Sequence, residues 1–71
     1  MVNVNKFKAK IVECGMNVDA LAEATGINRA TIYRRMNNPE EITIGEADAF
    51  AKALEMSGDE ATAIFFNQYV A

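Results

Sequence analysis

The chain has 71 residues, with 7 Lys and Arg against 10 Asp and Glu and a net charge of −3. A chain of this length holds one domain with a thin core, and its lone Cys14 excludes a disulfide framework. The lack of histidine removes the commonest general base and metal ligand, and no apolar run approaches the ~20 residues that cross a bilayer. We therefore expect a non-enzymatic protein with no cofactor, metal, membrane or small-molecule ligand, in a soluble, reducing and cytoplasmic setting.

Positive and negative charges are separated along the chain. Residues 1–38 carry six Lys and Arg against three Asp and Glu, whereas residues 39–71 carry one against seven. Three of the positive residues, Arg29, Arg34 and Arg35, lie within seven positions. Only the first half suits a polyanionic partner, and we expect the acidic half to keep such a partner away from the other faces of the protein.

Five helix starts are predicted in chain order. At each, an apolar residue precedes a capping residue, and a second apolar residue lies five positions after the first, which is the arrangement of a hydrophobic staple. Glu46 and Glu60 stand three residues after two of the caps and complete capping boxes. The predicted caps are Asn3, Asn17, Asn28, Thr43 and Ser57.

Apolar residues spaced three and four apart follow these starts and predict short amphipathic helices. The first helix can end at Gly15 and the second at Gly26, and Pro39 prevents the third from continuing unbroken into the fourth. No strand-like alternation persists for long, although the stretch "FFNQYV" could be extended. The sequence thus predicts a single all-α domain over residues 1–71, a compact bundle of five short helices.

The second and third helices are joined by almost no intervening chain. With one helix ending at Gly26 and the next capped by Asn28, the two must cross steeply, as in a helix-turn-helix over residues 17–37. The stretch "VDALAEATGINRATIYRRMN" resembles the helix-turn-helix of the lambda-repressor and Cro family, also called the XRE family, and the stretch after it is similar to small prophage regulators of that family. The residues that carry the resemblance are Ala22 in the first helix, Gly26 in the turn, Ile27 after it and Ile32 midway along the second helix.

Two positions depart from the family pattern. Arg35 stands where the family usually has an apolar residue, and we expect Met36 to take over that packing. Val18 stands where the family often has a glutamine near the DNA, so Asn17 becomes the expected polar group at that helix end.

The resemblance implies a sequence-specific transcriptional regulator of phage or prophage type that binds double-stranded operator DNA in the nucleoid of a bacterial host. The helix that begins at Asn28 would enter the major groove with its N-terminus first, so that Arg29 and Ala30 lie deepest and Arg34 lies one turn behind. Arginine can bridge N7 and O6 of guanine, alanine can touch a thymine methyl group, and several other polar residues suit phosphates. The predicted DNA-binding residues are Asn17, Asn28, Arg29, Ala30, Thr31, Tyr33, Arg34, Arg35, Asn37 and Asn38.

The C-terminal tail over residues 61–71 is the predicted homodimer surface. Regulators of this kind usually dimerise on a palindrome with half-sites about 34 Å apart. Since Phe65 and Phe66 are neighbours, both cannot face the same core, and we expect one of them to be exposed. An alternative function uses the same tail: a phage or antitoxin-like interaction module that grips a partner protein through its aromatic C-terminus. The predicted interface residues are Ile64, Phe65, Phe66, Tyr69 and Val70.

Overall fold

Five α-helices and one short 3-10 helix follow one another along residues 2–67, which are the residues that the computed structural model describes. No strand occurs among these residues, so the predicted all-α class is confirmed. The 3-10 helix, Pro39–Glu41, separates the third α-helix from the fourth, as expected from the proline. The α-helices are α1 (Val4–Glu13), α2 (Val18–Thr25), α3 (Arg29–Asn37), α4 (Ile44–Ala53) and α5 (Gly58–Phe65).

Each α-helix begins at the capping residue that the sequence predicts. The side chains of these residues accept hydrogen bonds from backbone N–H groups of the first turn at distances of 2.8–3.1 Å. Glu46 and Glu60 return the bond to the backbone N–H groups of Thr43 and Ser57 at 3.0 and 3.1 Å, so both capping boxes are confirmed. The five caps are Asn3, Asn17, Asn28, Thr43 and Ser57.

The core is built around three phenylalanines from three helices. The ring centroid of Phe7 lies 5.0 Å from that of Phe50 and 5.3 Å from that of Phe65. These spacings are those of favourable tilted and edge-to-face ring pairs. Leucine, isoleucine and alanine side chains from all five helices surround the rings. They are Ile11, Leu21, Ile32, Ala47, Leu54 and Ile64.

A tight turn of three residues sets the crossing of α2 and α3. Gly26 closes α2 in the left-handed region, with φ of 75°, and its N–H donates to the carbonyl of Ala22 at 2.9 Å. Glycine adopts this backbone conformation at no steric cost, which explains its place in the turn. The hydroxyl of Thr25 accepts from the N–H of Ile27 at 3.2 Å, and α3 begins two residues later. Ala22 and Ile27 pack against the core from the two sides of this turn.

Candidate nucleic-acid interface

One face of α3 is exposed to solvent while the opposite face is packed. Ile32 is completely buried, and Met36 packs against the core one turn later. This confirms the prediction that Met36 provides the apolar packing that Arg35 does not. The side chains on the other face are exposed, and Thr31 at its edge is half-buried. We call the exposed set the recognition face; it consists of Arg29, Ala30, Tyr33, Arg34 and Asn37.

Arg34 is an exposed cation of the recognition face. Its side chain is exposed and makes no ion pair with a carboxylate of residues 2–67. Its backbone carbonyl accepts a hydrogen bond from the side chain of Asn38 at 3.3 Å, which helps to close the end of the helix. The guanidinium of Arg34 can therefore be offered to an anion without breaking an internal contact.

Arg29 stands at the first position of α3 and is paired at the surface. Its Nε lies 3.1 Å from Oδ1 of Asp19, and its Cζ lies 5.9 Å from the centroid of the Tyr33 ring. Both members of the ion pair remain more than three-fifths exposed, at 62% for Arg29 and 63% for Asp19. An exposed pair of this kind is weak, so Arg29 stays available to a ligand that offers a stronger acceptor.

Arg35 faces away from the recognition face and joins α3 to α4. Its Nε donates to Oε1 of Glu46 at 2.9 Å, and its Nη1 lies 3.5 Å from Oε1 of Glu41. The side chains of Arg35 and Glu46 are only 18% and 17% exposed. The hydrogen bond raises the pKa of Arg35 and lowers the pKa of Glu46, so both groups stay charged. In the free protein Arg35 is thus held by carboxylates, because it sits against the first turn of α4, and it ties α3 to that helix.

The predicted asparagine contacts lie at helix ends. The Oδ1 atoms of Asn17 and Asn28 accept from the N–H groups of Ala20 and Ala30, each at 2.8 Å. A phosphate contact by either asparagine would therefore use the side-chain NH2 group, which is a donor. Both asparagines are exposed, and Asn38 is half-buried at the other end of α3.

The predicted dimer residues do not form one exposed surface in the described part of the chain. Ile64 and Phe65 belong to the core, at 5% and 3% exposure, because the last turn of α5 packs against α1 and α4. Phe66 is half-buried rather than exposed, with its ring centroid 6.4 Å from that of Phe65. Tyr69 and Val70 lie outside the described residues.

Three acidic residues near α3 were not singled out from the sequence as partners of its arginines. Asp19, Glu41 and Glu46 each pair with an arginine of α3. The spacing of charges gives no signal for these contacts, since the partners are 6 to 11 residues apart on different elements and meet only through the fold. In contrast, Tyr33 lies one helical turn after Arg29, and this i,i+4 spacing predicts their contact.

Among residues 2–67, no helix has both the length and the apolar character needed to cross a membrane. The same residues bring no three acidic or cysteine side chains together in a group that could hold a metal ion. The α3 helix presents a cationic face suited to an extended anion.

A comparison with protein-family models agrees with this arrangement. A model described as the Cro/C1-type HTH DNA-binding domain matches residues 6–61, which include α2, the turn and all of α3. No curated protein and no solved structure matches the chain. The matched span covers more than half of the chain, and the family fold is all-α, as is the described structure. The chain therefore belongs to the family of Cro/C1-type helix-turn-helix DNA-binding domains.

Proposed function

We propose that this protein is a transcriptional regulator of the Cro and repressor type, acting in a phage or prophage, that occupies operator DNA through the recognition face of α3. The observation that carries the proposal is the two-sided character of this helix. Ile32 is fully buried and fixes one side, whereas Arg29, Ala30, Tyr33, Arg34 and Asn37 present a continuous exposed side.

The dimensions of a helix suit this role. An α-helix about 10 Å across enters the major groove, which is about 12 Å wide. With the N-terminus of α3 leading, Arg29 and Ala30 reach the base edges first, and Arg34 follows one turn later. Asn37 and the half-buried Asn38, at the far end of α3, then lie toward the phosphates, which position the protein without reading the sequence.

The N-terminus of α2 contributes to the same DNA-facing side of the protein as the recognition face. Asn17 caps α2 and is exposed, so its NH2 group and the positive end of the helix dipole can meet one phosphate. Tyr33 is 47% exposed and can donate its hydroxyl to a phosphate while its ring supports Arg29. Arg35 is not assigned a phosphate in this proposal, because Glu41 and Glu46 already hold it.

The proposal is tested by selecting bound sequences from random duplex DNA at physiological salt and measuring affinity for the enriched duplex by fluorescence anisotropy. We expect Arg34→Ala to weaken binding and to reduce the slope of log K against log salt by about 0.9 if it loses one phosphate contact. If Arg34 reads a guanine instead, its removal should cost about 1–3 kcal/mol of discrimination at one position.

Lys52→Ala is the matched control for this measurement. It also removes one positive charge from an exposed side chain, 77% accessible, but Lys52 belongs to the last turn of α4 and pairs with Asp48 at 3.0 Å. We expect its affinity to remain close to that of the wild type. Equal losses of affinity in the two variants would mean that net charge alone explains the effect of Arg34→Ala. If the selection enriches no sequence at all, the proposed function is refuted.

We also propose that the protein binds its operator as a homodimer. A single short helix contacts few base pairs, and two-fold pairing on a palindrome doubles the interface. Ile64 and Phe65 are in the core, so Phe66 is the described member of the predicted interface residues that retains partial exposure. Sedimentation of the complex should give two chains per palindromic duplex, whereas one chain per duplex at saturation would contradict the dimer.

The alternative function, a protein-interaction module that uses the aromatic C-terminus, gains no support from the described residues. Ile64 and Phe65 would have to leave the core to meet a partner. The recognition face needs no such rearrangement, and we therefore do not propose the alternative.

A further inference from the structure

An ion pair bridges the first turns of the two helices that form the motif. Asp19 is the second residue of α2 and Arg29 is the first residue of α3, and Oδ1 of Asp19 lies 3.1 Å from Nε of Arg29. Both side chains are mostly exposed. A carboxylate therefore lies at the N-terminal end of the face that the proposed function assigns to DNA, next to the side chain that would reach deepest.

The contact engages one edge of the guanidinium group. Nε belongs to the inner edge of the group, and the carboxylate beside it leaves the two terminal Nη groups as the donors offered to a further ligand. Two Nη donors in one plane match the paired acceptors N7 and O6 of guanine. The Tyr33 ring, 5.9 Å from Cζ, supports the same guanidinium through a cation–π contact.

We propose that Asp19 is a specificity-determining residue, which orients Arg29 so that its terminal Nη groups read a guanine in the operator. This inference rests on the proposed function. Asp19 does not itself touch the base; it acts through Arg29 and is a positioning residue. Because the pair is exposed and weak, it biases the arginine toward this approach without fixing it.

The negative charge of Asp19 also increases the preference for the operator over other DNA. Next to a phosphate backbone, an exposed carboxylate is repelled, and this repulsion applies to every DNA sequence. Only a duplex that places a guanine before Arg29 offsets it with the bidentate contact. Asp19 thus weakens binding to DNA without the guanine more than binding to the operator.

The experiment compares Asp19→Asn with Asp48→Asn. Asp48 is a close match, because it is 61% exposed and pairs with Lys52 at 3.0 Å, but it lies on α4 rather than on α2. Each variant loses one negative charge with almost no change of shape. The probes are the duplex enriched by selection and a duplex with one base pair changed, at the position where Arg29→Ala loses its base preference. The readout is the ratio of the two affinities.

We expect Asp19→Asn to reduce this ratio about two- to fivefold, the range that an exposed ion pair supports, mainly by raising affinity for the changed duplex. Asp48→Asn should leave the ratio unchanged. In the Arg29→Ala background, Asp19→Asn should have no further effect on the ratio, because the residue through which it acts is absent. Because the ratio compares two affinities of the same variant, a small loss of helix stability affects both affinities equally and leaves the ratio unchanged.

Other outcomes would overturn the inference. An unchanged ratio in Asp19→Asn, or equal tightening on both duplexes, would reduce Asp19 to a helix-start charge that only repels DNA. A finding that Arg29→Ala loses no base preference would remove the reader that Asp19 is said to position, although binding through Arg34 would stand. If the wild type itself shows no sequence preference, the proposed function fails and the inference fails with it.

Discussion

Truncation of Ile32 tests how α3, the recognition helix of the proposed function, is held in the fold. Ile32 is the one fully buried side chain of α3, so removal of its side chain beyond Cβ leaves a cavity beneath the helix. Isoleucine-to-alanine changes in cores cost about 2–5 kcal/mol of free energy of unfolding. A domain of 71 residues is stable by about 4–11 kcal/mol, so Ile32→Ala should remove a large part of the total. Ile32→Val should cost only about 0.5–1.5 kcal/mol.

Urea unfolding, followed by circular dichroism, measures both values. For a small protein the slope of free energy against urea is about 1 kcal/mol/M, so Ile32→Ala should lower the midpoint by about 2 M or more. Val12→Ala is the matched control, because Val12 is 74% exposed on α1 and its truncation should change stability by less than about 0.5 kcal/mol. A loss below about 1 kcal/mol for Ile32→Ala would refute the reasoning that this side chain anchors the recognition helix.

The remaining predictions concern the turn and the ion pairs. Gly26→Ala should destabilise the protein by about 1–2 kcal/mol in urea unfolding, because φ is +75° there; Gly58→Ala, in open space at the start of α5, should leave stability unchanged or slightly higher. Acid should destabilise the protein, since hydrogen bonds from Arg35 and Lys10 hold the pKa values of Glu46 and Glu60 below their ordinary 4.5 in the folded state. Stabilisation is then complete above pH 4.5 and is lost as the pH falls through the lowered values, and with no histidine present unfolding midpoints should be level from about pH 6 to 8. Midpoints measured across pH should show a smaller acid loss in Glu46→Gln than in the wild type, and the opposite result would contradict the assigned cause.

The helix boundaries could be predicted from the sequence because they depend on chemistry within three or four residues. Asn17 and Ser57 find their backbone partners three positions away, whatever the rest of the chain does. The turn at Gly26 is equally local, since its requirement for a left-handed backbone belongs to one residue. The packing of Met36 could also be predicted, because it lies one helical turn after Ile32 and Arg35 cannot fill the apolar position.

The partners of charged side chains could not be predicted, because they depend on how the helices pack. Glu60 completes the capping box of α5 as the sequence indicates, but its carboxylate also accepts a hydrogen bond from Nζ of Lys10 at 2.6 Å across 50 residues of chain. Glu46 has the same double role with Arg35. Each capping-box glutamate thereby links its helix to another one. Periodicity likewise left open which of two adjacent phenylalanines is buried; the structure selects Phe65.

The most direct test of the central claim is an NMR titration of the isotope-labelled protein with the selected duplex. The account predicts that the backbone amides of residues 28–37, together with those at the start of α2 near Asn17, shift most strongly. Amides next to Asp48 and Lys52 in α4, the two control positions, should shift least, since this exposed ion pair lies outside the recognition face. Shifts confined to α5, or spread evenly over the whole protein, would contradict the claim that the exposed face of α3 binds DNA.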